Sequence, residues 1–157
     1  MGIPTSLIVS SILMSHWVGY ACPMTTPELA NKFVEMCKQG KNFDVMQQLY
    51  DDKIVSVEAV RRKTGSFETT GKAAVIQKSA EWAGAHEIHG ATVEGPYLLN
   101  DQFAVVFEFD VTPKATGTRV KNREIAVYTA ANGLITNEEF FYSPDAKALL
   151  VPWEVNL

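Results

Sequence analysis

Glu58 is a carboxylate set among Val57, Ala59 and Val60. Apolar surroundings disfavour a charged carboxylate and raise its pKa, which suits it to take a proton from the carbon beside a carbonyl. The same residue also reads as a strand-end glutamate paired with Arg61 or Arg62. His86 and His89, in the run His86-Glu87-Ile88-His89, titrate where a base or a hydrogen-bond donor must. Either also reads as a histidine bonded to backbone. Glu124 and Glu138 are candidates for an acid pair sharing one proton, or for two half-exposed sheet residues meeting Arg119, Lys121 or Arg123. Tyr128 can donate to a substrate oxygen on which charge develops, or can pack in a wall. Trp82 and Phe140 read as core or pocket lining.

These side chains need elements to position them. Thr26-Pro27 opens a helix, with Thr26 as cap and Pro27 in the first turn. Leu29, Phe33, Met36 and Cys37 recur at helical spacing, and Gly40 ends the helix. A second helix runs from Asn42 to about Tyr50, and a strand carries Ile54, Val55 and Val57 to about Val60. Arg61 to Gly65 reads as a solvated turn. Thr70 can cap a third helix over Gly71 to Ala83, with Val75, Ile76, Ser79 and Trp82 on one side. From His86 the period changes to that of strands. His86–Leu99 is interrupted by Gly95-Pro96, which marks a bulge or bend. Phe103 to Thr112 alternates, with Phe103, Val105, Phe107, Phe109 and Val111 on one face. Glu108 and Asp110, on the other, are either exposed or at a dimer seam. Arg119 to Ala130 and Leu134 to Tyr142 complete a run of four strands, with turns at Asn100-Asp101, Pro113 to Gly117, and Asn132-Gly133. Helices segregated from a strand run give an α+β fold. A curved antiparallel sheet wrapped around about three N-terminal helices then encloses a central cavity.

The chain has 157 residues, 46% hydrophobic and 20% charged, with a net charge of -4. This length suits one domain of ordinary size. The acidic balance argues against a nucleic-acid partner, which needs a basic face. Two cysteines exclude a disulfide-dense scaffold or a Cys-rich zinc module. His86-Glu87-Ile88-His89 lacks one residue of the zincin spacing, and on a strand its histidines point to opposite faces, so no metal is expected. Gly65 to Lys72 is one residue too long for a phosphate loop and continues with Ala73. Gly-x-Ser-x-Gly and Gly-x-Gly-x-x-Gly are absent, which argues against a serine hydrolase and a dinucleotide fold. Residues 1–24 carry no Lys, Arg, Asp or Glu, and their apolar stretch is broken by Ser10, Ser11, Ser15 and His16. They read first as an extension outside the domain, from a non-native or upstream start, then as a degenerate export signal, and last as a membrane anchor. The expectation is a cytoplasmic protein with no membrane partner, or an exported one if that segment is a signal.

The element order, with Gly71-Lys72-Ala73-Ala74-Val75-Ile76 opening the third helix and Asn132-Gly133-Leu134-Ile135 turning into the last strand, resembles the nuclear transport factor 2-like (cystatin-like) fold. Within it the chain resembles SnoaL-like proteins of bacteria. Phe107-Glu108-Phe109-Asp110-Val111-Thr112, Glu124-Ile125-Ala126-Val127-Tyr128 and Glu138-Glu139-Phe140-Phe141-Tyr142 carry this likeness, with the histidine run. It covers about residues 25–143, leaving 144–157 as a tail with a short helix. The resemblance implies an α+β cone open at one end. Its relatives include polyketide cyclases, ketosteroid isomerases, limonene epoxide hydrolases, dehydratases and non-catalytic binding or dimerisation modules. Many form homodimers through the outer face of the sheet. Ketosteroid isomerases keep a general base on the early strand where Glu58 stands. The relatives carry an acid on the last strand near Phe140, where this chain is apolar, so epoxide hydrolysis does not match.

A three-residue loop at Ala131-Asn132-Gly133 would pair Ala130 with Leu134, Tyr128 with Thr136 and Glu124 with Phe140. Glu124, Tyr128, Glu138 and Tyr142 then share a face, and the relatives' acid near Phe140 implies that this is the cavity side. A two-residue turn would slip the register by one and turn Arg123, Ile125 and Val127 inward. The expected site comprises Glu58, His89, Glu124 and Tyr128 as catalytic candidates, with Trp82, His86, Glu138, Phe140 and Tyr142 against a hydrophobic small molecule. The expected activity is a cofactor-free isomerase, cyclase or dehydratase-like reaction on an apolar carbonyl compound. Two readings compete with it: a binding module without chemistry, and a dimerisation module with its cavity filled by its own side chains.

Overall fold

The computed structural model describes residues 22–61 and 65–142. The readings of an N-terminal extension and of a helical tail fall on residues 1–21 and 143–157, outside the described residues, as do residues 62–64 of the polar turn.

Helix α1 spans Thr26–Lys38. Its cap is Thr25, one residue earlier than the sequence reading. The Glu28 N–H donates to Thr25 Oγ1, and the Thr25 N–H donates to Glu28 Oε2 at 2.8 Å. This capping box satisfies two otherwise orphaned donors. At the other end Gly40, at φ 73°, donates to Cys37 O, and Lys41 donates to Met36 O. These are the two bonds of a Schellman stop, which needs the left-handed residue that glycine supplies. The helix buries Leu29, Ala30, Phe33, Val34 and Cys37.

Helix α2 spans Asn42–Leu49, and Tyr50 begins strand β1, Tyr50–Val57, rather than ending the helix. A strand absent from the sequence reading follows: β2, Glu68–Thr70, pairs antiparallel with β1. Thr70 therefore belongs to a strand and does not cap α3, Lys72–Ala85, whose cap is Gly71 at φ 95°. The four long strands are β3 (His86–Leu99), β4 (Gln102–Pro113), β5 (Val120–Ala131) and β6 (Leu134–Tyr142).

The sheet order is β2-β1-β6-β5-β4-β3. β3 to β6 form the antiparallel run, while β1 lies parallel to β6, with Ser56 opposite Glu138. The sheet is thus mixed at one junction rather than wholly antiparallel. Its concave face carries Phe103, Val105, Phe107 and Ala126 against the helices, where Phe33 meets Phe103 at 5.5 Å and Tyr128 at 4.5 Å between ring centroids. Aromatic contacts of this geometry add to the area they bury.

The β5–β6 turn is the two-residue form. Asn132 and Gly133 stand at φ 53° and 78°, and Ala131 faces Leu134. The expected slip is then cancelled: a bulge at Thr136 takes the pairing from Ala130–Ile135 to Thr129–Asn137. Tyr128 faces Glu138 and Glu124 faces Tyr142, each two residues beyond the expected partner. A shift of two preserves the face, so Glu124, Tyr128, Glu138 and Tyr142 point inward and Ile125 outward.

Candidate functional site

A cavity of about 270 Å³ lies between the helices and the concave face. Much of its wall is apolar or aromatic, from Phe33, Met46, Trp82, Phe107, Phe109 and Phe140. A polar cluster interrupts that wall, and three elements build it. On β1, strand alternation points Ile54 and Ser56 inward, and Glu58 continues the alternation just past the strand end. The Glu58 N–H donates to Phe67 O at 2.9 Å, which holds it there. On β6, the residue opposite Ser56 is Glu138. On α3, helical spacing places Lys78 on the inner stripe with Val75 and Trp82.

Lys78 is buried, and its Nζ donates to Ser56 Oγ and to Glu58 Oε1, both at 2.5 Å. Glu138 Oε1 lies 3.8 Å from the same nitrogen. The Tyr50 hydroxyl donates to Glu138 Oε2, and the Tyr142 hydroxyl donates to Glu58 Oε2 at 3.3 Å. Lys78 Nζ also stands 4.9 Å from the centroid of the Phe140 ring. Two carboxyl groups thus flank one ammonium inside an aromatic enclosure. Such burial is costly unless charge and hydrogen bonding are balanced within the cluster.

Burial pushes the Glu138 carboxyl above its ordinary value of 4.5, against the pull of Lys78 and of hydrogen bonds from Ser56 and Tyr50. Glu58 pushes in the same direction as burial. Tyr50 and Tyr128 are raised well above 10.0, first by burial and then by the Glu138 charge, and so stay phenols. Burial pushes the Cys37 thiol, also in the cavity wall, up to about 12, so it stays protonated. The raised Glu138 has a consequence for stability. The folded protein holds this proton more tightly than the unfolded chain. The contribution is fully present below the ordinary carboxylate value and is lost as pH rises through the raised folded value. Glu138→Gln removes that titration. Urea unfolding between pH 4 and 8 is expected to show the wild type losing stability relative to Glu138→Gln as pH rises; parallel curves would refute the assignment.

The structure brings Glu58, Glu124, Tyr128, Trp82, Glu138, Phe140 and Tyr142 to one cavity. Glu58 pairs with Lys78, not with the arginines read beside it. Glu138 is fully buried rather than half-exposed. Glu138 faces Tyr128, four residues along β5 from Glu124, which at strand rise separates their backbone positions by about 13 Å, and the carboxyl group that acts on Glu138 is that of Glu58, across the ammonium. Arg119 and Arg123 turn to Asp110, Glu108 and Glu94 on other strands.

The two histidines do not line the cavity. His89 is the extra residue of a bulge between Ile88 and Gly90, and its Nε2 lies 2.8 Å from Thr112 Oγ1. The bulge lets Ile88 and Ala91 both face inward while His89 is left out. His86 is buried, stacked on Trp82 at 4.3 Å, with Nδ1 2.7 Å from Trp82 O. Trp82, not His86, is the cavity wall.

Sequence reading missed Lys78, Ser56 and Tyr50. A signal existed for Lys78 in its spacing from Val75 and Trp82, and for Ser56 in its alternation with Ile54 and Glu58. Among the described residues no group of three or more His, Cys, Asp or Glu gathers as a metal site. No described helix is long and apolar enough to cross a membrane.

A family model described as SnoaL-like domain matches residues 24–142. Among solved structures, a Mesorhizobium loti protein assigned as a SnoaL-like polyketide cyclase is 48% identical, with 76% of this chain and 100% of that chain covered at a TM-score of 0.72. A Bacillus subtilis protein assigned as an isomerase shares 18% identity over 84% of this chain and 100% of its own, at 0.66. A cystatin-like-fold protein of unknown function from Xanthomonas campestris shares 14% over the same proportions, also at 0.66. These last two are likenesses of fold alone. No curated protein matches.

Proposed function

The chain belongs to the SnoaL-like domain family, and from that premise we propose that its cavity binds a small, largely apolar carbonyl compound and isomerises or cyclises it without a cofactor. The observation that carries this reading is the Glu58–Lys78–Glu138 cluster in an aromatic cavity. Glu58 is the base. Its carboxylate removes a proton from the carbon beside the carbonyl, and the electron pair moves onto the oxygen as an enolate. In this reading Glu138 acts in its protonated form, which burial favours, and donates a hydrogen bond to that oxygen. Glu58 then returns its proton to the far carbon of a double bond conjugated with the enolate, which shifts that double bond, or the enolate carbon attacks a second carbonyl of the same molecule, closing a ring, and the new alkoxide takes the proton from Glu58.

An open volume of 270 Å³ favours a ligand over a cavity plugged by its own side chains. It lies just under the ~300–1,000 Å³ usual for ligand sites, which favours compounds of one or two rings. Thermal shift against such ketones, their alcohols and their parent hydrocarbons tests the reading. A ligand at ~100 times its dissociation constant adds ~2.7 kcal/mol, and for a domain of this size that is a rise of several degrees. Ketones are expected to raise the melting temperature more than their hydrocarbons. Equal shifts would leave a plain hydrophobic binder, and no shift from any compound would overturn the carbonyl reading.

The partner is a second copy of the chain. On the outer face Ile125 lies opposite both Val106 and Phe141, and Ile125 and Phe141 are half exposed. Arg123 on the same face stands near Glu94 and Glu108, so a two-fold copy can meet apolar row with apolar row and cation with carboxylate. Sedimentation is expected to give a dimer for the wild type and a monomer for Ile125→Glu/Phe141→Glu. A monomeric wild type at micromolar concentration would refute this.

A further inference from the structure

We infer that Lys78 anchors the ligand's oxygen, and that the oxygen it selects is a neutral carbonyl rather than a carboxylate. The inference rests on the carbonyl reading above and adds the residue that recognises the group. A lysine ammonium has three donors and no acceptor. Two are spent, on Ser56 Oγ and Glu58 Oε1. The third has no hydrogen-bond partner among the described residues: its nearest carboxylate oxygen, Glu138 Oε1, is 3.8 Å from the nitrogen, beyond hydrogen-bond reach. The side chain is 6% exposed, so bulk water does not serve that donor freely, yet it lines the cavity.

The 3.8 Å gap has the geometry of a site for one atom. An oxygen placed beside the gap can lie about 2.8 Å from both Lys78 Nζ and Glu138 Oε1. Two groups converging on one oxygen are what stabilises charge developing there. The surrounding charge then sets the class of ligand. Lys78 is the one lysine or arginine among the described cavity-lining residues, and besides Glu138, which acts protonated, the carboxylates Glu58 and Glu124 line the same space. A carboxylate at this point would face Glu58 across the ammonium and meet like charge in a low-dielectric enclosure. A ketone or ester oxygen satisfies the donor without that repulsion.

Binding of 1-indanone, its hydrocarbon indane and indane-1-carboxylate tests this by calorimetry, with a carbon-13 carbonyl label read by infrared difference spectroscopy. Wild-type protein is expected to bind 1-indanone more tightly than either analogue, with a carbonyl stretch lowered by the hydrogen bond. Lys78→Met is expected to weaken 1-indanone about 10- to 100-fold, to leave indane within about threefold and to abolish the lowered stretch. Because Lys78→Met alone strands buried carboxyl groups, the charge-balanced pair Lys78→Met/Glu58→Gln is compared with Glu58→Gln; the same weakening is expected between them. Equal affinity in those two proteins, or tighter binding of the carboxylate than of the ketone, would overturn the inference. If ketone binding ignores Lys78 while Glu58→Gln still abolishes proton exchange, the anchor is refuted and the base stands. If 1-indanone binds no better than indane to the wild type, both fall.

Discussion

Glu58→Gln is expected to lower the rate of α-proton exchange in a bound ketone by about a thousandfold. A positioned general base contributes roughly 10²–10⁴, and a thousandfold is about 4 kcal/mol of barrier. Glutamine keeps the shape and still offers an oxygen to Lys78, but it cannot accept a proton at neutral pH. The effect should therefore fall on the rate of exchange and little on ketone affinity. The assay is incorporation of deuterium from solvent, followed by proton NMR at saturating ketone. A variant that exchanges at the wild-type rate would remove Glu58 as the base. Glu124, the other carboxylate of the wall nearer Asn122 and Phe107, would be the next to test.

The second large effect is on stability. Lys78→Met removes the ammonium between Glu58 and Glu138 and leaves both carboxyl groups buried without it. Breaking a buried pair from one side costs about 3–5 kcal/mol, because the remaining charge is uncompensated, whereas replacing both partners is often nearly neutral. Lys78→Met is thus expected to lose that amount in urea unfolding. Lys78→Met/Glu58→Gln is expected to recover most of it, since only Glu138 then remains, with Tyr50 and Ser56 as its hydrogen-bond donors. If the double variant is as unstable as the single one, the loss comes from packing around α3 and the charge account is wrong.

The fold was legible in the sequence where its determinants are local. Hydrophobic period located α1, α2, α3 and the four long strands, and Gly40 and the Asn132-Gly133 pair marked their stops. The inward face of β5 and β6 was also reached, though through compensating departures: the turn has two residues rather than three, and the bulge at Thr136 restores the parity. Nothing in Ile135-Thr136-Asn137 announces a bulge, because a bulge answers to the twist of the whole sheet. The parallel pairing of β1 with β6 is likewise non-local, and β2 is three residues long, too short to show a period.

The site divides along the same line. Glu58 was reached from its residue type, its apolar sequence neighbours and the early-strand base of the isomerases the chain resembles; its inward direction comes from alternation with Ile54 and Ser56. Lys78 could not be placed by residue type, since a lysine on a helix is ordinarily solvated. Only its two carboxylate neighbours, brought from β1's end and β6, make its burial tolerable. His89 has the residue type of a base, but the bulge and Thr112 hold its ring on the outer face, and neither is visible in the local sequence.

The most direct measurement is the time course of α-proton exchange in one- and two-ring ketones in deuterium oxide, with wild-type protein and with none. The account predicts exchange well above the buffer rate for those ketones that raise the melting temperature, and no acceleration for those that do not. Ketones that bind in the cavity yet exchange no faster than in buffer would contradict it and leave a receptor without chemistry.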